Sequence, residues 1–168
     1  MTKDLTIEII EKDGKYIIVN SDVKSFLEKK GFGNVINNEL ILDSVEVAYL
    51  SMNNRIIING KYITYSEIVH KIENFAKFIV YLDLRRRGYP VKAVNEGPVD
   101  LIVWGRGKSP IKDNPSFMIK VVDEGLGIRT LDLVRLLKYC ESMGVQLVLA
   151  LVSSEGVITY YKAFSFKK

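Results

Sequence analysis

One cysteine, one histidine, one tryptophan and four prolines among 168 residues leave several kinds of chemistry without material. Cys140 alone closes no internal disulfide, and with His70 as the single imidazole no recognisable zinc set can be assembled. Metal chemistry through soft ligands is thereby set aside, and no cofactor is expected. Long hydrophobic runs are missing as well. The longest nearly apolar one, Val145 to Val152, is interrupted by Gln146 and is far too short to cross a bilayer, so no membrane role is expected. The opening Met-Thr-Lys-Asp-Leu has no signal-peptide design, which makes the cytoplasm the expected location.

What the chain does have is an ordinary globular composition, 48% apolar and 26% charged, enough to fold around a real core. Lysine and arginine number 24 against 20 acidic residues, a net charge of +4 that permits contact with phosphates without requiring it. Placement says more than the total. Arg85, Arg86, Arg87 and Lys92 cluster around one turn, and Arg106, Lys108 and Lys112 share one loop containing glycine and proline. Such clusters suit either a solvated surface or a phosphate-binding one.

The pattern changes character near residue 64. Residues 1–63 read as a small α+β domain: LTIEIIE and KYIIVN alternate around Asp13-Gly14, and RIIINGKYIT forms a second hairpin signal around Asn59-Gly60. A short helix after Ser21 ends near Gly31, and Asp43 with Glu46 three residues later is a capping box for another. Residues 64–168 open with a second capping box, Thr64 and Glu67, which predicts one long helix running to the arginines. Its expected buried stripe is Ile68, Ile72, Phe75, Ile79 and Leu82, with His70 on the other side. Strands at about 89–94, 99–104, 116–122, 145–152 and 157–164, with a helix at about 130–143, complete an α/β domain whose mixed sheet is flanked by helices. In that helix Leu133, Leu136, Leu137 and Cys140 share one side, so the thiol is read as core.

This element order fits a restriction-endonuclease-like fold, in which a carboxylate and a D/E-x-K unit hold magnesium. Asp100 and Lys120 stand in suitable places, but the residue two before Lys120 is Met118, so the second hard oxygen ligand is missing. Asp100 and Lys120 are therefore expected to be structural. RNA can also be cut without metal, when the 2′-hydroxyl attacks the adjacent phosphate. That route needs a base, an acid for the departing 5′ oxygen and a cation near the phosphorane.

The stretch FIVYLDLRRRGYPVK, residues 78–92, closely resembles the Y-x-V-Y-x-D-L-R-x-R-G-Y-x-V-K signature of the archaeal tRNA-splicing endonuclease family. The likeness continues through Asp100, Arg106-Gly107, FMIKVV, VQLVLALV and GVITYYKAF. In that family a tyrosine, a histidine and a lysine cut the RNA. The resemblance places the tyrosine position on Trp104, the histidine position on Asn114 and the lysine position on Val145, so all three functions are absent together. His70 precedes the signature stretch that begins at Phe78, and Lys138 stands where catalytic members carry an arginine. The resemblance thus implies a structural subunit of the heterotetrameric type, joined to a catalytic paralogue and acting on precursor tRNA at bulge-helix-bulge motifs. It further implies an interface along the last strand, with Tyr160, Tyr161 and Phe164, and at Glu155 in the preceding loop. Arg85, Arg86, Arg106 and Lys108 are the RNA-contact candidates, some of which could instead fix the turn at Gly88. Two alternatives stay open: an active homo-oligomer with relocated groups, Lys108 or Lys112 for the cation and Tyr160 or Tyr161 for the base, or a homodimeric RNA-binding module.

Overall fold

A computed structural model describes residues 5–166. The first part builds on hairpins whose turns need two successive left-handed residues, a geometry that matches the right-handed twist of paired strands. Asp13-Gly14 (φ 52° and 74°) joins β1 (Thr6–Lys12) to β2 (Lys15–Ile18). Between these strands and the next hairpin lies α1 (Ser21–Lys29), capped by Asn20, whose side-chain oxygen accepts the N–H groups of Asp22 and Val23. A hairpin not foreseen in the sequence follows: β3 (Asn34–Ile36) and β4 (Glu39–Leu42) turn through Asn37-Asn38 at φ 50° and 64°. The asparagine pair was its signal, since asparagine tolerates the left-handed region better than most residues. Then come α2 (Ser44–Ser51), β5 (Arg55–Ile58), β6 (Lys61–Ile63) and the Asn59-Gly60 turn between the last two. The six strands form one mixed sheet in the order β3-β4-β2-β1-β5-β6, with β1 and β5 parallel.

The long helix expected from Thr64 is two helices. The Thr64–Glu67 capping box opens only α3 (Tyr65–Val69), and Asn74 then starts α4 (Phe75–Arg86) by accepting the Lys77 N–H. The break resets the helical phase. Ile68 is fully buried, yet Phe75 is 54% exposed, and the core side of α4 is carried by Phe78, Val80, Tyr81 and Leu84. His70 caps the end of α3 and is exposed, on the surface as expected.

After Gly88 come β7 (Val91–Ala93), β8 (Leu101–Val103), β9 (Phe117–Asp123), α5 (Thr130–Ser142), β10 (Gln146–Val152) and β11 (Ile158–Ala163). They form a five-stranded mixed sheet in the order β11-β10-β9-β8-β7, in which only β9 and β10 are parallel, joined through α5. Helices α4 and α5 cover its opposite faces. Val121, Val148 and Ala150 meet the α4 side, whereas Met118 and Leu147 meet Leu136 and Cys140 of α5. The thiol of Cys140 is buried, and burial raises its pKa.

The two sheets are joined by polar side chains that end the β7 edge. Ala93 donates its N–H to Glu46 Oε1 (3.1 Å), and its carbonyl accepts from Asn34 Nδ2 (3.2 Å). Arg85 Nη2 donates to the Val91 carbonyl (2.6 Å) and Lys77 Nζ to that of Val94 (2.8 Å). Lys77 also pairs with the buried Asp43 at 3.1 Å. Glu46 thus has two tasks: its Oε2 closes the α2 capping box on the Asp43 N–H, and its Oε1 takes Gly33 and Ala93. Burial pushes its pKa up to about 7, against the pull of those three N–H donors.

The sign of the resulting pH dependence is fixed. A carboxyl raised above its unfolded value stabilises the fold fully below about pH 4.5 and loses that contribution as the pH rises through about 7. The thermal midpoint of the native chain is therefore expected to fall across this window. In Glu46→Gln that component should vanish, at a cost of about 1–3 kcal/mol because an amide N–H then faces a backbone N–H. Thermal unfolding of both chains at a series of pH values checks it, and parallel profiles would contradict it.

Candidate nucleic-acid interface

Strand register gathers the three positions singled out in the sequence at one end of the five-stranded sheet. Val103 lies opposite Phe117, and Phe117 opposite Gln146, so Trp104 leaves β8 where the chain enters β9 and β10. Trp104 is 5% exposed, and its indole N–H donates to the Asp113 carbonyl at 3.0 Å. Lys92 Nζ stands 5.7 Å from its ring. Asn114 is exposed in the adjoining loop, and Val145 is half-buried against the apolar cluster under α5. Trp104 has a donor already engaged, Asn114 an amide and Val145 a hydrocarbon, so none of the three can exchange a proton near neutral pH.

The loop 105–115 is braced from within. Ser109 N–H donates to Asp113 Oδ2 (2.7 Å), Asp113 N–H returns to the Ser109 carbonyl (2.8 Å), and Gly105 N–H donates to Ser116 Oγ (3.1 Å). It also leans on the first part of the chain: a Cβ placed on Gly31, which sits at φ 80°, would come within 3.0 Å of Pro110 Cγ. Arg106 and Lys108 project from this loop and are exposed, with the Arg106 guanidinium 5.3 Å from the Tyr89 ring.

The arginines of the helix end have different surroundings. Arg85 donates to the Tyr81 hydroxyl (3.0 Å), the Lys30 carbonyl (2.9 Å) and the Val91 carbonyl, and its guanidinium lies 3.8 Å from the Phe32 centroid. It is the arginine that fixes the corner between α4 and β7. Arg86 is exposed, and Arg87 pairs with Asp83 at 2.9 Å. Among the described residues, Arg86, Arg106 and Lys108 make no ion pair.

Asp100 and Lys120 stand 3.5 Å apart, and Asp100 Oδ2 accepts the Val121 N–H at 2.7 Å, while Met118 is buried beneath α5. These are structural pairings, as read from the sequence. On the last strand Tyr160 donates to Asp83 at 2.6 Å, and burial, reinforced by that carboxylate, pushes its pKa well up. Its phenol is therefore held protonated. Tyr161 and Phe164 are exposed, Phe164 by 64%, and Glu155 is exposed in the Ser153–Gly156 turn. Lys138 is exposed on α5.

A five-stranded mixed sheet with one helix on each face, preceded by a smaller six-stranded α+β part and carrying a cationic corner, defines a nuclease-like protein in two parts. Comparison with known proteins narrows this. The family profile of the tRNA intron endonuclease N-terminal domain matches residues 9–69, and that of the tRNA intron endonuclease catalytic C-terminal domain matches residues 74–160. The chain belongs to the tRNA intron endonuclease family. It is 29% identical over 147 residues to the tRNA-splicing endonuclease of Thermococcus onnurineus, spanning 83% of this chain and 84% of that one. It is 27% identical over 164 residues to the tRNA-splicing endonuclease of Methanococcus vannielii, spanning 93% and 92%. To that of Methanothermobacter thermautotrophicus it is 30% identical over 82 residues, about half of each chain, and it matches only 22% of the length of the Methanococcoides burtonii protein.

The surroundings of adjacent arginines predict opposite phenotypes. Arg85→Ala removes three hydrogen bonds and a stacked guanidinium, and is expected to lower stability by about 2–4 kcal/mol. Arg86→Ala is expected to leave stability within about 0.5 kcal/mol. Urea unfolding of both variants separates them.

Proposed function

We propose that this chain is a structural, catalytically degenerate subunit of a tRNA-splicing endonuclease, assembling with a catalytic paralogue to excise introns from precursor tRNA at bulge-helix-bulge motifs in the cytoplasm. The observation that carries the reading is the corner at the sheet end. There the resemblance sets the family's tyrosine, histidine and lysine positions on Trp104, Asn114 and Val145, and the indole of Trp104 donates to the Asp113 carbonyl. Attack by a ribose 2′-hydroxyl and departure of the 5′ oxygen need a base and an acid, and the only imidazole of the chain caps α3. In the proposed assembly the partner supplies all three groups and the RNA leaves with a cyclic phosphate end.

Residues 1–63 are read as the supporting domain and residues 64–168 as the nuclease-like one. The arrangement of the five-stranded sheet favours joining at β11. The outward groups of β7 are capped by Glu46, Asn34, Arg85 and Lys77, whereas β11 is the opposite edge and pairs only with β10. Such an edge invites another strand, and Tyr161 and Phe164 offer apolar surface beside it. Tyr160 steadies the strand from within through Asp83. Glu155, the single carboxylate of the Ser153–Gly156 turn, is the group that would dock a basic pocket of a neighbouring subunit. Arg86, Arg106 and Lys108 are the phosphate contacts, and Arg85 acts by holding the corner on which they stand. A self-sufficient homo-oligomeric nuclease is disfavoured by the protonated Tyr160 phenol, which is a poor base. A homodimer is the alternative left open to the isolated chain.

Mixed with a catalytic paralogue and an intron-bearing precursor tRNA, the chain is expected to elute as a complex and to raise cleavage, in EDTA, with 2′,3′-cyclic phosphate ends. Alone it should not cut. Unchanged cleavage together with separate elution rejects the subunit reading, and EDTA-resistant cleavage by this chain alone supports the homo-oligomeric one.

A further inference from the structure

Helix α4 stops short of the end of the sheet it covers. It finishes at Arg86 and the chain turns away at Gly88, φ 87°, leaving a cavity of about 250 Å³ beyond its last turn. Val103, Ile119 and Val148, all buried, form the floor, Phe117 is half-buried at the side, and the exposed Arg87 and Lys162 stand at the mouth. These floor residues belong to the core that α4 seals elsewhere, so the opening is apolar below and cationic above.

Two cations already lie against aromatic rings here. Lys162 Nζ is 5.8 Å from the Phe117 centroid, and Arg106 is 5.3 Å from that of Tyr89, which also lines the cavity. The Asp83 carboxylate nearby is engaged by Arg87 and by the Tyr160 hydroxyl, so its charge is largely offset. Among the described residues Lys162 and Arg106 make no ion pair. The cavity is also continuous with the proposed RNA surface, because the Arg106 side chain passes over Gly88, with Cδ 3.7 Å from where a Cβ would stand.

We infer that this cavity receives one unstacked base of an RNA strand, stacked on Phe117, with the flanking phosphates on Arg87, Arg106 and Lys162. Single-stranded RNA is held in this way by ring faces for the base and cations for the backbone. An apolar side chain of a protein partner would suit the floor but would leave Arg106 and Lys162, which make no ion pair among the described residues, without a role. The floor offers hydrocarbon and no amide or carboxylate to read a base edge, so discrimination among bases should be slight. The inference rests on the reading that this chain contacts RNA.

The test is fluorescence anisotropy of the full chain with a bulge-helix-bulge RNA and with a set in which each bulge nucleotide in turn is abasic. Phe117→Leu is expected to weaken binding of the intact RNA about tenfold. One abasic RNA should show a similar loss with the native chain and no further loss with the variant. Lys162→Met, at the exposed rim, should cost about threefold and lessen the salt dependence, again least on that same abasic RNA. Losses identical across all the abasic RNAs, or unchanged affinity in both variants, would overturn the cavity assignment. Under that outcome Arg106→Ala still weakens binding if the RNA-contact reading holds. Native-like RNA affinity of Phe117→Leu with a weakened complex to the catalytic paralogue would give the cavity to a protein partner instead. Absence of any RNA binding by the native chain, alone and in complex, removes the underlying reading and the inference with it.

Discussion

The carboxylate of Glu46 is the contact on which the arrangement of the two sheets depends. It is fully buried, and it accepts N–H groups from Gly33, Asp43 and Ala93, which lie on three different elements or links. A buried acceptor of this kind ties down donors that would each cost free energy if left without a partner, so one sheet cannot slide along the other without exposing that cost. Lys77 and Asp43 add a buried ion pair beside it, and Asn34 and Arg85 complete the series. Together these side chains act as a substitute strand along β7.

That substitution has a consequence for assembly. A sheet has two edges, and an open edge is a template for pairing with another chain. Here the first part of the protein closes one, so the proposed association through the five-stranded sheet falls to β11. The same junction orients the cationic corner: Arg85 stacks on Phe32 and binds the Lys30 carbonyl, while Pro110 of the loop carrying Arg106 and Lys108 rests close to Gly31. The first part of the chain thus stands behind the proposed RNA surface.

Much of the fold was legible in the sequence because its signals are local. Asp13-Gly14 and Asn59-Gly60 specify turns from their own backbone preferences, Asp43 with Glu46 marks a helix start, and the apolar VQLVLALV announces a strand covered on both faces. The interruption of the helix at Asn74 was not read, since Thr64 and the apolar spacing suggested continuity. A capping asparagine inside a periodic run competes with the period, and here the cap prevailed. For the β3–β4 hairpin the local signal is weaker, the asparagine pair Asn37-Asn38 in place of an Asn-Gly or Asp-Gly turn.

For the site, sequence alone determined the inventory, one imidazole wherever the chain folds, while the placing of the family's positions on Trp104, Asn114 and Val145 is what the resemblance implies. It could not rank Arg85 and Arg86, because neighbours in sequence differ only in what surrounds them. Tertiary structure decided that, turning Arg85 toward a carbonyl 55 residues away and leaving Arg86 in solvent. It also decided the second task of Glu46, whose capping partner is three residues distant but whose Ala93 partner is 47, and the cavity beyond α4, which exists only because a helix ends before the sheet beneath it does. Local propensities depend on a residue and its near neighbours, whereas burial and long-range hydrogen bonds exist only once distant segments have packed.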